Sequence, residues 1–588
     1  MLEATYRLAA PALALALSFA VQAHAASPLA VEAQHAMVVT SQHYASEVGV
    51  KILEAGGNAV DAAVAVGYAL AVVNPCCGNI GGGGFMVLHL ADGRDSFINF
   101  RETAPAAARE TMYLDATGNP VPGASLYGYL AAGVPGTVMG LERARREYGR
   151  LPRAKVMAPA IKLAREGYVL SRADTDILDN KIERFGKDPV ARRIFLKPDG
   201  TPFKPGERLV QKELAATLEL IAERGPDAFY KGAIARAVAK ASRANGGILT
   251  AEDFAHYSAT EGAPLSCSYR GYVLLTAAPP SSGGVTMCEI LDILEGYDMR
   301  ALGFRSAQSV HLLAEAMRHA FMDRNSYLGD PAFVQNPLQR LLSKDYAAAI
   351  RAKINPDKAT PSKDVQPGSE PHEKAETTHY SIVDRDGNAV SVTFTINGFF
   401  GANVIAPGTG FFLNDEMDDF TVKPGVPNLF GLVQGKANAI APGKRPLSSM
   451  APTIVTKDGK GFLVLGSPGG SRIITITLLT LMNIVDYGMG PEEAVDAPRI
   501  HQQWLPDEIF YEPYGLSPDT VDRLTGMGYK LVEQTPWGAA ELIEMGSIAA
   551  AAGTTSSGND AALSGKLLPG VIYGANDDRR PAGAAVGY

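Results

Sequence analysis

Thr377 is the residue around which a chemistry can be written. It stands in the run Glu376-Thr377-Thr378-His379-Tyr380-Ser381, which continues through Ile382-Val383-Asp384-Arg385-Asp386-Gly387-Asn388 into a second β-like run ending at Asn397. A threonine hydroxyl is a poor nucleophile until a base takes its proton. A threonine at a chain start carries that base itself, since a free α-amine has an ordinary pKa of about 8. The expected course is a chain made in one piece and cut between Glu376 and Thr377. Before the cut, the same hydroxyl can attack the carbonyl of Glu376 to give an ester that water opens. After it, Thr377 serves an amide-transferring reaction. A lone threonine in a strand is ordinarily structural, so its neighbours matter.

Three constellations bear on Thr377. In the first, Arg385-Asp386-Gly387 fits a three-residue hairpin loop with glycine in the left-handed region. Pairing Asp384 with Asn388 then sets Thr377 opposite Thr395. Val390, Val392, Phe394 and Ile396 face one way, and Ser391, Thr393, Thr395 and Asn397 the other. One face is apolar core, and the other sets hydroxyls and an amide beside Thr377. In the second, Ser467-Pro468-Gly469-Gly470 joins a strand to a helix, a geometry that offers backbone N–H groups to an anion. No Gly-Lys-Ser/Thr follows, which disfavours a nucleotide. An oxyanion hole for acyl transfer and a tight turn both fit. The third is a scatter of polar residues: Arg101 at a strand end, the acidic run 414–419, and Ser448-Ser449 after Lys444-Arg445-Pro446. A guanidinium with hydroxyls suits a carboxylate, and carboxylates suit an ammonium. Together they would hold the head of an α-amino acid, while each taken singly also suits a solvated surface. The acidic run lacks the spaced oxygens and glycine of an EF-hand loop, so neither metal nor organic cofactor is expected.

The elements that position these residues follow from pattern. Apolar periodicity predicts helices over 45–53 and 61–73, the second stopped by Pro75. Strands are predicted over 85–90 and 96–100, and 134–240 is mainly helical. One strand over 269–277 leads to a rigid loop at 279–284 and helices over 285–294 and 309–322. A hairpin over 453–465 precedes the glycine loop and a helix over 473–487. Residues 353–374 are rich in Pro, Lys, Asp, Ser and Glu and read as an exposed linker running into Thr377. The Ala/Gly/Ser-rich run 549–565 reads as a loop or insertion.

A chain of 588 residues, 46% hydrophobic and 20% charged, holds a large core in one layered domain or several. A net charge of -8 without a basic block argues against nucleic acid and against an anionic membrane surface. Arg7, an apolar run over 8–21 and Ala23-His24-Ala25 read as a signal peptide over 1–25, too short for a membrane span. A short anchor is the alternative. Export to the periplasm is expected. Four cysteines, Cys76, Cys77, Cys267 and Cys288, make no disulfide framework in so long a chain. Adjacent cysteines seldom bridge, a Cys267–Cys288 bridge is left open, and each is expected as a small buried hydrophobe.

Taken together, the runs resemble the γ-glutamyltransferase (glutathione hydrolase) family of the N-terminal-nucleophile superfamily. The matching runs are Asn79-Ile80-Gly81-Gly82-Gly83-Gly84-Phe85-Met86, Phe100-Arg101-Glu102, Thr377-Thr378-His379-Tyr380-Ser381, the run 414–420, Arg445-Pro446-Leu447-Ser448-Ser449-Met450-Ala451-Pro452-Thr453 and Gly466-Ser467-Pro468-Gly469-Gly470-Ser471-Arg472. They span nearly the whole mature chain in the family's order.

The resemblance implies an α+β fold, a four-layer αββα sandwich. It also implies self-cleavage into a large subunit (26–376) and a small one (377–588) that stay together as a heterodimer. The implied activity is transfer of the γ-glutamyl group of glutathione and related compounds to water, amino acids or dipeptides. By matched position, Thr377 would be the nucleophile with Thr395 hydrogen-bonded to it, and Gly469 and Gly470 would form the oxyanion hole. Arg101, Ser448 and Ser449 would hold the substrate carboxylate, and Asn397, Glu416 and Asp419 its amine. The run 424–435 with Asn438 resembles the lid loop of Gram-negative members.

The chain departs from the family pattern at four places. Glu416 stands where many members have an amide, which tightens an ammonium site. Phe430 replaces a lid tyrosine, so a lid hydrogen bond to Asn397 is expected to be missing. Cys76-Cys77 and the run 549–565 are the others. A cephalosporin or glutaryl acylase of the same fold, and a non-catalytic periplasmic binding protein for γ-glutamyl peptides, are the competing readings.

Overall fold

The strand that begins after Thr377 lies at the centre of a seven-stranded antiparallel sheet. Its order is Ala584–Gly587, Met37–Thr40, Thr378–Val383, Ala389–Thr395, Gly83–His89, Asp95–Asn99 and Thr260–Gly262. The computed structural model describes residues 27–362, 377–546, 568 and 570–588. The expected signal peptide, Glu376, linker residues 363–376 and the run 549–565 lie outside the described residues.

The central hairpin has the register that its turn chemistry predicts. Thr378 pairs with Phe394 and Val383 with Ala389. Gly387 sits at φ 89°, and the Asp384 amide donates to the Asn388 carbonyl at 3.1 Å. The Asp384 carboxylate accepts the amides of Asp386 and Asn388, each at 3.0 Å, and that of Ala59 at 2.8 Å. One side chain therefore closes the turn and ties it to the N-terminus of helix Ala59–Val73. That helix starts on an Asn58/Asp61 capping box and is buried on every side. Its near-uniform Ala/Val composition reflects burial all round instead of on one face.

A second seven-stranded antiparallel sheet, in the order Val31–Ala33, Ile572–Asn576, Glu541–Met545, Lys460–Gly466, Thr453–Lys457, Tyr272–Thr276 and Leu265–Tyr269, packs against the first. Met37, Val39, Phe85 and Val87 of one meet Ile454, Val464 and Ile543 of the other. Helices His43–Glu54, Ala59–Val73, Thr137–Tyr148 and Arg153–Glu166 cover the outer face of the first sheet. Gly283–Leu294, Ala307–Tyr327 and Ile473–Val485 cover the second. The layering is the expected αββα sandwich. Among the described residues no helix is long and apolar enough to cross a membrane.

The hydroxyl face of the hairpin has an unexpected place. Ser391 and Thr393 point between the two sheets, not into solvent. Ser391 Oγ donates to the Leu465 carbonyl at 3.1 Å and accepts the Thr453 amide at 2.9 Å. His379 lies 2.8 Å from Thr393 Oγ1 and 3.1 Å from Ser381 Oγ. Burial pushes the His379 pKa down to about 3, so this imidazole is a neutral bracket between strands. Only the Thr377/Thr395 end of the face emerges at a site.

Two sequence expectations are corrected, and two short strands are added. The strand over 269–277 is two strands, because Arg270 (φ 50°) and Gly271 (φ 81°) make a tight turn. The cysteines are not free hydrophobes. Cys267 is bonded to Cys288, joining an edge strand to a covering helix, and Cys76 is bonded to Cys77 in the turn after helix Ala59–Val73. The short edge strands Val31–Ala33 and Ala584–Gly587 were unpredicted, since runs of three or four residues are too short to show alternation.

Candidate active site

Thr377 is 5% exposed, at the start of the central strand. Its hydroxyl donates to Thr395 Oγ1 at 3.3 Å, the neighbour that the register predicts. Thr395 Oγ1 also accepts the Asn397 amide at 2.8 Å. Asn397 leaves the strand at φ 75°, a region costly for a residue with a Cβ. Its side-chain amide donates to the Asp415 carbonyl at 3.1 Å. The hairpin end is thus tied to the acidic run 414–419.

Packing of backbone on backbone explains the glycine run before Phe85. A Cβ on Gly82 would overlap the carbonyl oxygen of Thr395 and meet Ile396 Cγ2 at 2.8 Å. Gly82→Ala is therefore expected to displace Thr395 and lower turnover by roughly 100-fold, the cost of misplacing a reacting group by about 1 Å. Rate and extent of self-cleavage check this. A fully cut variant with the parent rate would show that Thr395 tolerates the shift.

The loop Ser467–Gly470 meets the same place from the second sheet. Gly469 takes φ 138° and Gly470 φ 57°, conformations that a side chain resists. They precede helix Ile473–Val485 through a short 3-10 turn. The first N–H groups at such an end have no intrahelical acceptor and complement an anion. Pro468 and Thr377 line one cavity of about 210 Å³, together with Asn74, Cys77, Asp174 and Arg580.

The third group is a buried charge cluster. Arg101 is fully buried and pairs with Glu416 and Asp419, with Glu102 Oε2 at 3.5 Å. Its Nε donates to the Pro446 carbonyl at 3.2 Å. Burial pulls the guanidinium down, but the three carboxylates hold it above its ordinary value, so it stays charged. Burial pushes Glu416 well above the carboxylate range and Glu102 up to about 7; Asp419 is raised by the same cause. Arg101 opposes all three shifts.

Ser448 and Ser449 follow Pro446 beside this cluster. Ser448 Oγ accepts the Met450 amide at 3.1 Å. Ser449 Oγ accepts from Arg324 Nη2 at 3.0 Å. Arg324 also donates to Ser282 Oγ at 2.8 Å and Gln434 Oε1 at 3.3 Å, and burial brings its pKa down to about 10. Sequence reasoning missed this second guanidinium. The available signal was an arginine in the last turn of a helix of mixed polar and apolar residues, too common to single out.

The run 424–435 folds over Asp418 and Asp419. Asn428 Oδ1 accepts the amides of Phe430 and Leu432, each at 3.1 Å, while its Nδ2 reaches Asp419 Oδ1 at 3.4 Å. The Leu429 amide donates to Asp418 Oδ2 at 2.8 Å. Phe430 is held by its ring in the second helical core and by its carbonyl, which accepts from Gln503 at 3.1 Å. Asn438 Nδ2 donates to the Asp419 carbonyl at 2.6 Å.

A buried hydroxyl pair, a glycine turn with positive φ and a cluster of opposed buried charges are thus the features placed around the Thr377 hairpin. The sequence pattern of the family described as gamma-glutamyltranspeptidase matches residues 45–585. The chain is 57% identical to the glutathione hydrolase proenzyme of Pseudomonas sp. (strain A14), over 98% of each chain. It is 48% identical to the glutathione hydrolase proenzyme of Escherichia coli (strain K12), over 95% of this chain and 93% of that one. The crystal structure of a cephalosporin acylase from Bacillus halodurans is similar with a TM-score of 0.82 at 27% identity, covering 96% of this chain and 98% of that one. With a match of that extent and relatives of that identity, the chain belongs to the γ-glutamyltranspeptidase family.

Proposed function

We propose that this chain is a proenzyme that cuts itself between Glu376 and Thr377 and then cleaves the γ-glutamyl amide of glutathione and related compounds. The observation that carries this reading is the Thr377–Thr395 hydroxyl pair, whose Thr377 lines one cavity with Pro468, the residue just before Gly469. In the uncut chain the Thr377 nitrogen is an amide and cannot act as a base. After the cut it is an amine. It takes the hydroxyl proton as Oγ1 attacks the γ-carbonyl, and the Gly469 and Gly470 amides receive the oxyanion. The proton passes to the leaving amine as the C–N bond breaks, which leaves a γ-glutamyl ester on Thr377. Water, or the amine of an amino acid or dipeptide, then attacks the ester and restores the hydroxyl.

The charge cluster selects the donor. The α-carboxylate lies on Arg101 with Ser448 and Ser449, and the α-ammonium between Glu416, Asp419 and Asn397. A zwitterionic head brings one charge of each sign, so every buried ion keeps an opposite partner. A glutaryl group lacks the ammonium and leaves Glu416 and Asp419 facing an added carboxylate. γ-Glutamyl-p-nitroanilide is therefore expected to exceed glutaryl-p-nitroanilide in kcat/KM by roughly 100-fold or more, the penalty of an unpaired polar site. Preference for the glutaryl compound would assign the acylase reading instead. An uncut chain recovered from the periplasm would favour the binding-protein reading.

The large and small subunits remain together because each sheet draws strands from both sides of the cut. Thr378–Val383 pairs with Met37–Thr40, and Ala389–Thr395 with Gly83–His89. The sequence of residues 1–25 supports export to the periplasm.

A further inference from the structure

The Cys76–Cys77 disulfide has a position that the proposed mechanism does not use. Cys77 lines the 210 Å³ cavity that Thr377 also lines. The two cysteine carbonyls accept the amides that bracket the active-site turn: Ile396 donates to Cys77 at 3.2 Å and Phe400 to Cys76 at 2.8 Å. Between those two anchors lies Asn397 in its left-handed conformation, and the Asn397 amide holds Thr395 Oγ1. Asn74, three residues or fewer from both sulfurs, donates to Thr378 Oγ1 at 3.3 Å. The bonded pair therefore fixes a turn that touches the strand on each side of the Thr377–Thr395 contact.

We propose that Cys76–Cys77 is a thiol-exchange site on the nucleophile cavity, whose opening by a small cysteinyl thiol loosens Asn397 and Thr395 and slows turnover. The thiol class rests on the functional reading above, since a cysteinyl dipeptide is what cleavage of glutathione leaves behind. The incoming thiolate attacks Cys77 Sγ, since Cys77 is the cysteine of the pair that lines the cavity. The Sγ–Sγ bond breaks, a mixed disulfide forms on Cys77, and Cys76 leaves as a thiolate that takes up the proton lost by the incoming thiol. Asn74 Oδ1 lies 3.1 Å from Cys76 Sγ and is placed to accept the new S–H. A second thiol attacks the mixed disulfide, carries away the first as a disulfide and leaves both cysteines reduced. The Cys267–Cys288 pair, which joins the edge strand Leu265–Tyr269 to helix Gly283–Leu294, provides the internal comparison.

The test uses the self-cleaved wild-type protein, exposed to cysteinylglycine or dithiothreitol under native conditions. Alkylation and peptide mass locate the opened pair while γ-glutamyl-p-nitroanilide turnover is followed. The expected result is a fall in kcat/KM of roughly three- to thirtyfold that tracks labelling of Cys76 and Cys77 and reverses on reoxidation. Cys76→Ala/Cys77→Ala is expected to be slow at the outset and unresponsive to thiol. If that variant does not fold, the correlation of labelling with rate in the wild type decides the matter. An unchanged rate at full labelling of Cys77 overturns the proposal, as does a rate that follows only Cys267–Cys288. An oxidised enzyme that never turns over sinks the functional reading instead, and the mass of the Cys77 adduct then decides the exchange site by itself.

Discussion

Thr377→Ala is expected to leave one uncut chain with no measurable γ-glutamyl transfer. Removal of a nucleophile that also generates its own base eliminates both steps, and losses on the order of 10⁴-fold or more accompany such deletions. The variant should fold, because among the described residues the Thr377 side chain makes one hydrogen bond, to Thr395 at 3.3 Å. Strand pairing begins only at Thr378. Intact mass and N-terminal analysis of wild type and variant check the result. The wild type is expected to show a new N-terminus at Thr377, and the variant none. Thr377→Ser keeps the hydroxyl and is expected to cut itself, more slowly, because the missing methyl leaves the rotamer free. A cut before residue 377 in the alanine variant would mean that another group performs the processing.

Arg101→Ala is expected to damage both stability and donor binding. Its guanidinium faces Glu416, Asp419 and Glu102 in a place where Arg101, Glu102 and Glu416 are fully buried and the Asp419 side chain is only 11% exposed. Removing one partner of a buried ionic group costs about 3–5 kcal/mol, because the charges left behind have no counter-ion. The loss depends on pH. Glu416, Asp419 and Glu102 are already raised by burial with Arg101 present, and its removal raises them further. The folded chain then holds protons that the unfolded chain releases above the ordinary carboxylate range. Stability is therefore retained at low pH and falls as pH rises from about 4.5 through neutrality. Thermal unfolding of wild type and Arg101→Ala between pH 5 and pH 8 should diverge toward the alkaline end. Adding Glu416→Gln to Arg101→Ala should recover stability but not donor binding, since the carboxylate of the donor still lacks its cation. Equal stability of the single variant and the wild type across that range would show that the cluster is solvated.

Much of the setting of Thr377 is a local matter. Alternation of apolar and hydroxyl residues over 390–397 and the glycine in the Asp384–Asn388 loop set the hairpin register. The register alone places Thr377 against Thr395. The Asn58 capping box and Pro75 likewise mark the buried helix between them. These features depend on spacing within about ten residues, where turn geometry and side-chain period act directly.

Charge partners were not determined locally. Arg101 meets Glu416 across 315 positions and Asp419 across 318. Matching of types suggested a guanidinium next to two serines, yet in the fold Arg101 faces the acidic run and Arg324 reaches Ser449. The Cys76–Cys77 bond and the enclosure of Ser391 and Thr393 between sheets were equally beyond reach. A buried ion pairs with whichever opposite charge the packing brings within a few ångströms, because low polarity makes that separation decisive. Thr377 and its hydroxyl neighbour were thus determined by the sequence itself, through turn and period. Which charges confront one another around Arg101 was decided only when two sheets and their helices closed on each other.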